Sequence, residues 1–253
     1  MAGPAEDPII RVKDLYKSFG DNRVLSGINL DVETGTTCVI LGGSGSGKTV
    51  LMKHMIGLLK PDSGQVFIEG EDIVPLGTDS LEEVRRKFGM VFQGAALFDS
   101  MTVYENVSFP LREHKKGLSE SQIRETVHQK LDIVGLQDVD DKFPSDLSGG
   151  MRKRVGLARA IILDPKIVLY DEPTTGLDPI TTDYVDEMIL TAKKSLNVTS
   201  VVISHDIASA FKVADKIAFL SKGLIVEQGT PQSLRHSEHP AVKLFLQTWF
   251  GKN

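Results

Sequence analysis

Thr37-Cys38-Val39-Ile40-Leu41-Gly42-Gly43-Ser44-Gly45-Ser46-Gly47-Lys48-Thr49-Val50 is the stretch that decides how this chain folds. A nearly all-apolar run enters a glycine-rich loop, and helix-compatible residues from Val50 to Leu58 follow. So short an apolar run suits a strand buried on both faces of a parallel sheet. The loop matches G-x-x-x-x-G-K-[ST] in full, and it sits where that motif must, after a buried strand and before a helix. Its glycines let backbone N–H groups turn inward around phosphate groups. The helix start adds the positive end of its dipole. Lys48 is expected to reach the β- and γ-phosphates of a nucleotide, and the Thr49 hydroxyl to bind Mg2+. A glycine-rich loop matching by accident is the plain alternative; its strand–loop–helix setting argues against it.

Working outward, two more apolar runs of the same kind appear, Ile167-Val168-Leu169-Tyr170 and Val198 to Ser204. Each leads through polar or glycine-containing residues into helix-compatible sequence. Strands alternating with helices give an α/β fold with a mainly parallel core sheet. The N-terminal part differs. Ile28, Leu30 and Val32 alternate with polar residues, and Val66 and Ile68 repeat the pattern before the turn-like Glu69-Gly70-Glu71-Asp72. This reads as an N-terminal antiparallel β subdomain. In the middle, Ile123, Val127, Leu131 and Val134 fall at helical spacing between about Leu118 and Val134, as do Met151, Val155, Ala158 and Ile162 between Met151 and Leu163. The expectation is one domain over 8–253: a core from 1–93 and 161–240, a helical insertion at 94–160, and a C-terminal helix at 240–253.

Bulk properties narrow the function. The 253 residues carry a net charge of −5 and no long basic run, so binding to nucleic acid through phosphate neutralisation is not expected. Cys38 is the only cysteine, which excludes an internal disulfide and fits a reducing compartment. No apolar stretch reaches the ~18 residues of a membrane-spanning helix, and the N-terminus lacks a signal-peptide pattern. His54, His114, His128, His236 and His239 show no metal spacing and are expected at the surface. Cys38 is expected in the core, and Val242, Phe245, Leu246 and Trp249 form one packing stripe of a C-terminal helix.

A phosphate loop alone says nucleotide binding. Ile167-Val168-Leu169-Tyr170-Asp171-Glu172 says more, because an apolar strand delivers two carboxylates to its C-terminal edge. Asp171 is expected to hold Mg2+, directly or through water. Glu172, one residue on, points elsewhere and is free to take a proton from an attacking water. An acidic loop after a strand is the structural alternative.

Leu147-Ser148-Gly149-Gly150-Met151 resembles the signature of ABC-transporter ATP-binding subunits, and Arg152 to Ile161 resembles its helix. Physically, Ser148 with Gly149 and Gly150 makes a second anion-binding helix start. The resemblance covers nearly the whole chain and implies a P-loop NTPase, RecA-like core. It also implies that the second helix start serves the nucleotide of a facing subunit, so that two ATP lie between two head-to-tail copies. A simple Ser-Gly-Gly helix cap is the structural alternative.

The same resemblance implies roles for four more residues. Phe19 stacks on adenine, unless it is a core aromatic; Gln93 senses Mg2+ and the attacking water, unless it is a solvated strand-end amide. Asp178 meets the partner subunit, unless it is an Asp before Pro in a turn; His205 contacts the γ-phosphate and holds Glu172 and the water, unless it is structural. The implied catalytic set is Glu172, His205, Gln93 and Lys48. The implied metal set is Thr49, Gln93 and Asp171, with ATP and Mg2+ as cofactors. Nucleotide contacts are implied for Phe19, Gly42, Gly43, Ser44, Gly45, Ser46, Gly47, Lys48, Thr49, Val50, Ser148, Gly149, Gly150 and Asp178.

Two departures from the family pattern stand out. Val50 replaces a hydroxyl residue that contacts the α-phosphate, which implies modestly lower nucleotide affinity. Met151 replaces a glutamine, and its thioether cannot donate a hydrogen bond. Three segments are similar to the ATPases of Mce-associated lipid transporters, including the Mla phospholipid system: Phe92 to Phe98, Met101 to His114, and the Met-bearing signature. That subgroup implies a homodimer, membrane permease subunits and an Mce-domain lipid-binding protein as partners, at the cytoplasmic face of the inner membrane. Other expectations are an ABC ATPase for amino acids or lipoproteins, or a soluble one acting in translation or DNA repair. Translation members carry two nucleotide domains and repair members a long coiled coil, neither of which is present here.

Overall fold

The structure is a computed structural model that describes residues 7–250, with the side chains of 248–250 outside the description. The first elements are β1 (Ile10–Phe19), β2 (Asn22–Val32), β3 (Thr37–Leu41), α1 (Lys48–Met55), β4 (Ser63–Ile68), β5 (Glu71–Asp72), α2 (Thr78–Arg85) and β6 (Phe88–Val91). Then come α3 (Val103–His114), α4 (Glu120–Ile133), α5 (Gly149–Ala160), β7 (Ile167–Asp171) and α6 (Pro179–Leu196). The last are β8 (Thr199–Ser204), α7 (Ile207–Val213), β9 (Lys216–Ser221), β10 (Leu224–Gly229), α8 (Pro231–Arg235) and α9 (Pro240–Phe250). They form two compact units, one from residues up to 85 and from 199 onward, the other from 86–198.

The first unit holds two sheets. An antiparallel sheet runs in the order β2-β1-β4-β5. Its β4–β5 hairpin turns through Glu69 and Gly70 at φ 52° and 83°, the pair of left-handed residues that matches strand twist. The other strands of this unit stand in the order β10-β9-β3-β8. β3 pairs in parallel with both β8 and β9, Leu41 lying opposite Ser204 and Phe219. All five residues of β3 and all six of β8 are buried, as expected for central parallel strands. Each large apolar side chain so enclosed contributes on the order of 2 kcal/mol. Cys38 lies in this core at 1% exposure. In α9, Val242 and Leu246 are buried and Phe245 meets Phe219 edge-on at 5.1 Å, so the C-terminal stripe packs inward; the Trp249 side chain lies outside the described residues.

The second unit carries β6 and β7 as a parallel pair, Val91 opposite Tyr170, with four helices. α3 and α4 begin at reciprocal capping boxes, Thr102 with Glu105 and Ser119 with Gln122. α5 is buried through Val155, Gly156, Leu157 and Ala158. It lies close enough to β6 that a Cβ on Gly89 would stand 2.3 Å from the Ala160 carbonyl oxygen. Among the described residues, no helix is long and apolar enough to cross a membrane.

Some boundaries move. The first helix runs Lys48–Met55 rather than to Leu58, which is 52% exposed. His54 overturns the expectation of a surface histidine: it is 1% exposed, with Nδ1 2.7 Å from the Val50 carbonyl. Its place on the inner face of α1, between Leu51 and Met55, explains the burial.

Candidate functional site

In the first unit, the phosphate loop leaves β3 where the strand lies beside β8, and the Gly42 amide donates to the Ser204 carbonyl at 3.3 Å. His205 follows Ser204 directly, so loop and histidine emerge from neighbouring strand ends, and the imidazole is exposed. Gly42 admits no side chain, because a Cβ would stand 2.2 Å from the Leu220 carbonyl oxygen. Gly45 and Gly47 take φ of 73° and 106°, in the left-handed region that favours glycine. Gly47 caps α1 without a side-chain hydrogen bond. The Ser46 hydroxyl is buried with no protein partner. Lys48 is 6% exposed, and its ammonium donates to the Gly42 and Gly43 carbonyls at 2.9 and 3.0 Å.

A helix start lacking a side-chain cap, an unpartnered buried hydroxyl and an ammonium folded onto the loop make a donor set that fits a polyphosphate. Phe19 ends β1 at the hairpin tip and is 48% exposed, not the core aromatic that its strand position allowed; the Lys17 ammonium lies 5.5 Å from its ring centre.

In the second unit, β6 and β7 end side by side. Gln93 and Glu172 each lie two residues past the Val91–Tyr170 pair. Gln93 is exposed. Its loop continues through Ala95 and Ala96 at φ 62° and 48°, an uncommon conformation for non-glycine residues. Two polar side chains hold that loop. Arg159 of α5 donates to the Ala95 carbonyl at 2.8 Å. Asn106 of α3, fully buried, accepts from the Phe98 amide at 2.9 Å and donates to the carbonyls of Phe98, Met101 and Thr102.

Asp171 closes β7 and is half-buried. Glu172 follows at φ 50°, and the Thr175 hydroxyl donates to its Oε2 at 3.1 Å. Ser148 caps α5, its Oγ accepting from the Met151 amide at 3.2 Å. Asp178 caps α6, its Oδ1 accepting from the Ile180 and Thr181 amides at 3.0 Å each. Asp178, for which a turn before proline was the structural alternative, therefore starts an 18-residue helix with Pro179 at its first position. A hydrogen bond from the Thr181 side chain, with those backbone amides, holds the Asp178 carboxyl below the usual carboxylate range. A cavity of about 840 Å³ in this unit is lined by Ser148, Gly149, Gly150, Gly176, Asp178 and Tyr184, among others.

Lys153, Arg159, Asn106 and Thr175 were not anticipated. Lys153 of α5 is 7% exposed, donates to the Pro173 carbonyl, and is lowered in pKa by burial. One signal was available for it: the run Val155 to Ala158 marks a helix buried around much of its girth, so a lysine one turn earlier must find a partner.

Thr49, Gln93 and Asp171 offer oxygen donors of the kind Mg2+ takes alongside phosphate and water. Among the described residues, no group of three or more His, Cys, Asp or Glu is placed to hold a metal ion by itself.

Residues 25–175 match the model of a family described as ABC transporter. The chain is 45% identical over 237 residues to the probable ribonucleotide transport ATP-binding protein mkl of Mycobacterium leprae, covering 94% of this chain and 68% of that protein. It is 41% identical over 239 residues to the intermembrane phospholipid transport system ATP-binding protein MlaF of Haemophilus influenzae, covering 94% and 90%. Among solved structures, cbiO1 from Clostridium perfringens, part of the ABC transporter complex cbiONQ, superposes with a TM-score of 0.86 at 30% identity, covering 98% and 97%. The ATP-binding cassette MJ0796, as a dimer in a post-hydrolysis state with ADP and Pi, superposes with a TM-score of 0.79 at 31% identity, covering 88% and 98%.

Proposed function

This chain belongs to the ABC transporter family, as an ATP-hydrolysing subunit, and on that premise we propose that it powers phospholipid transport in an Mce-associated, Mla-type membrane system. The observation that carries the cargo reading is the 41% identity to a phospholipid-transport ATP-binding protein along nine-tenths of both chains. In this reading two copies work as a homodimer against membrane permease subunits at the cytoplasmic face of the inner membrane, with an Mce-domain protein as a further partner. The dimeric state of a cassette of the same fold supports the pairing.

The chain's own residues divide the work by their chemistry. The phosphate loop takes the polyphosphate of ATP, and Lys48 gives up its loop carbonyls for the β- and γ-phosphates. Phe19, exposed at its hairpin tip, stacks on the adenine. Thr49, Asp171 and Gln93 would hold Mg2+, whose charge would offset that of the phosphates. Glu172 accepts the proton of the attacking water, and His205 contacts the γ-phosphate and holds that water. Ser148 with the Gly149 and Gly150 amides meets the γ-phosphate of a facing copy, and Asp178 lies against that copy. Catalysis is then positioning and charge stabilisation about the transferred phosphoryl group.

E172Q tests the assignment. It is expected to bind ATP, to lose on the order of 10²-fold or more in turnover, and to pair into a dimer when ATP is present. Wild-type turnover, or a mutant that stays monomeric with ATP by light scattering, contradicts it. A ribonucleotide cargo is the second reading, carried by the printed name of the mkl relative. Mass spectrometry of small molecules co-purifying with the intact membrane complex separates the two: bound phospholipid supports the first, bound ribonucleotide in the membrane subunits the second.

A further inference from the structure

We propose that Lys153 is a positioning residue for Glu172, tying the helix that starts at Ser148 to the backbone from which that carboxylate extends. The inference rests on the reading of Glu172 as the general base and of Ser148 as the group that meets the facing copy's nucleotide.

Lys153 lies on α5, five residues past the Ser148 cap. It is 7% exposed, and its ammonium donates to the carbonyl of Pro173, the residue directly after Glu172. Burial disfavours the charged form and lowers the pKa of this lysine. An apolar side chain would fill a buried helix position without that cost. What the cation supplies is a donor aimed at one peptide group. Pro173 and Thr174 are both buried, so that carbonyl needs a partner from the protein.

Proline makes the contact effective at its neighbour. Its ring fixes φ, and the peptide bond before it is planar, so few torsions separate the held carbonyl from the Glu172 backbone. Glu172 stands at φ 50°, a conformation that a residue with a Cβ keeps only when its surroundings impose it. The turn supplies part of that constraint: the Thr175 amide donates to the Glu172 carbonyl at 3.3 Å, and the Thr175 hydroxyl is one partner of the carboxylate. Lys153 adds a tie from a different element. A Cβ on Gly150 would stand 3.3 Å from Thr181 Cγ2, so the start of α5 lies against the start of α6, and Arg159 ends the helix on the Ala95 carbonyl. One continuous helix therefore joins Ser148 to the peptide beside Glu172. Misplacement of a reacting group by about 1 Å can cost on the order of 10²-fold, so the place of that peptide matters.

Glutamine and methionine are close in volume and differ in the donor, so K153Q keeps an N–H for the Pro173 carbonyl and K153M removes it. K153M is expected to lower kcat roughly tenfold, the scale of one hydrogen bond from a charged group. KM for ATP should stay within about twofold, because Lys153 makes no contact with substrate in this reading. K153Q should retain most of the wild-type kcat. In an E172Q background, K153M should cause no further loss of turnover and should leave ATP-driven pairing intact. K153L serves the same comparison should K153M fail to fold. The proposal is overturned if K153M keeps wild-type kcat, if K153Q falls as far as K153M, if the loss lies in KM, or if the double mutant no longer pairs. An E172Q enzyme with full turnover would instead overturn the general-base reading itself, whatever K153M does.

Discussion

Lys48, Cys38 and His54 sit within one short stretch, and burial treats each differently. The Lys48 ammonium is nearly enclosed but stays satisfied, because the loop turns two carbonyls onto it. Cys38 is compensated only in part, by the positive charge of Lys216. Burial in the middle of β3 pushes its thiol up to about 12, so almost no thiolate exists near neutrality. Iodoacetamide at pH 8 is therefore expected to leave Cys38 unlabelled in the native protein and to label it fully in denaturant. Rapid labelling of the native protein would show that β3 opens. His54 is neutralised by the same force, and its consequence reaches the whole molecule. Glu172 carries a different cost, backbone strain at φ 50°, and a strained carboxylate in a loop after a strand is more often tied to function than to stability.

At the scale of elements, the loop between β6 and α3 depends on side chains from two helices. Two turn hydrogen bonds, from the Ala95 amide to the Phe92 carbonyl and from the Met101 amide to the Phe98 carbonyl, satisfy part of its backbone, and side chains from outside supply more. Asn106 does most of this, bonding four backbone groups between Phe98 and Thr102 from a fully buried position. Arg159 holds the Ala95 carbonyl next to the left-handed pair. N106A should leave the Phe98 amide and the Met101 carbonyl without the partner that Asn106 supplies and open a cavity at a fully buried site, at a cost of about 2–4 kcal/mol in urea unfolding. A cost below about 1 kcal/mol would mean that water replaces the amide. N106A should also disturb the placement of Gln93 at the head of the same loop. α5 joins these features, since it starts at Ser148, sends Lys153 to Pro173 and ends with Arg159 on the loop of Gln93.

At the scale of the whole molecule, burial and ion pairing predict how stability responds to pH. Desolvation holds the His54 pKa below its usual value of 6.5, with Lys17 acting in the same direction and Asp62 against it. Above that value the residue is neutral in both folded and unfolded chains, so it contributes no slope. Below it the unfolded chain binds the proton first, and stability falls as pH drops toward the folded pKa. Asp62 and Glu120 are held below the usual carboxylate range by hydrogen bonds from Lys17 and Arg112, respectively. Their stabilisation is present above the unfolded carboxylate pKa and is lost as pH falls through the lower folded values. Melting temperature should therefore be flat from pH 8 to about 6.5 and then decline in two stages. H54L should remove the first stage and leave the second. An unchanged first stage of decline below about pH 6.5 in H54L would remove His54 from this role.

The amino-acid sequence by itself determined the elements whose signals are local. The phosphate loop, the buried runs that became β3, β7 and β8, the helical stretches that became α4 and α5 with the Ser148 helix start, and the family were all legible in it. Such features depend on a few neighbouring residues: glycine where φ is positive, a hydroxyl before a helix, apolar residues in succession. Only the tertiary structure decided which polar groups are buried and what they meet. That Asn106 serves a loop several residues away, that Lys153 caps a carbonyl 20 residues on, and that His54 is buried could not be read from spacing. The reason is physical: a buried donor's partner is chosen when distant segments close on one another, and nothing in the local pattern of the chain records which segment will arrive.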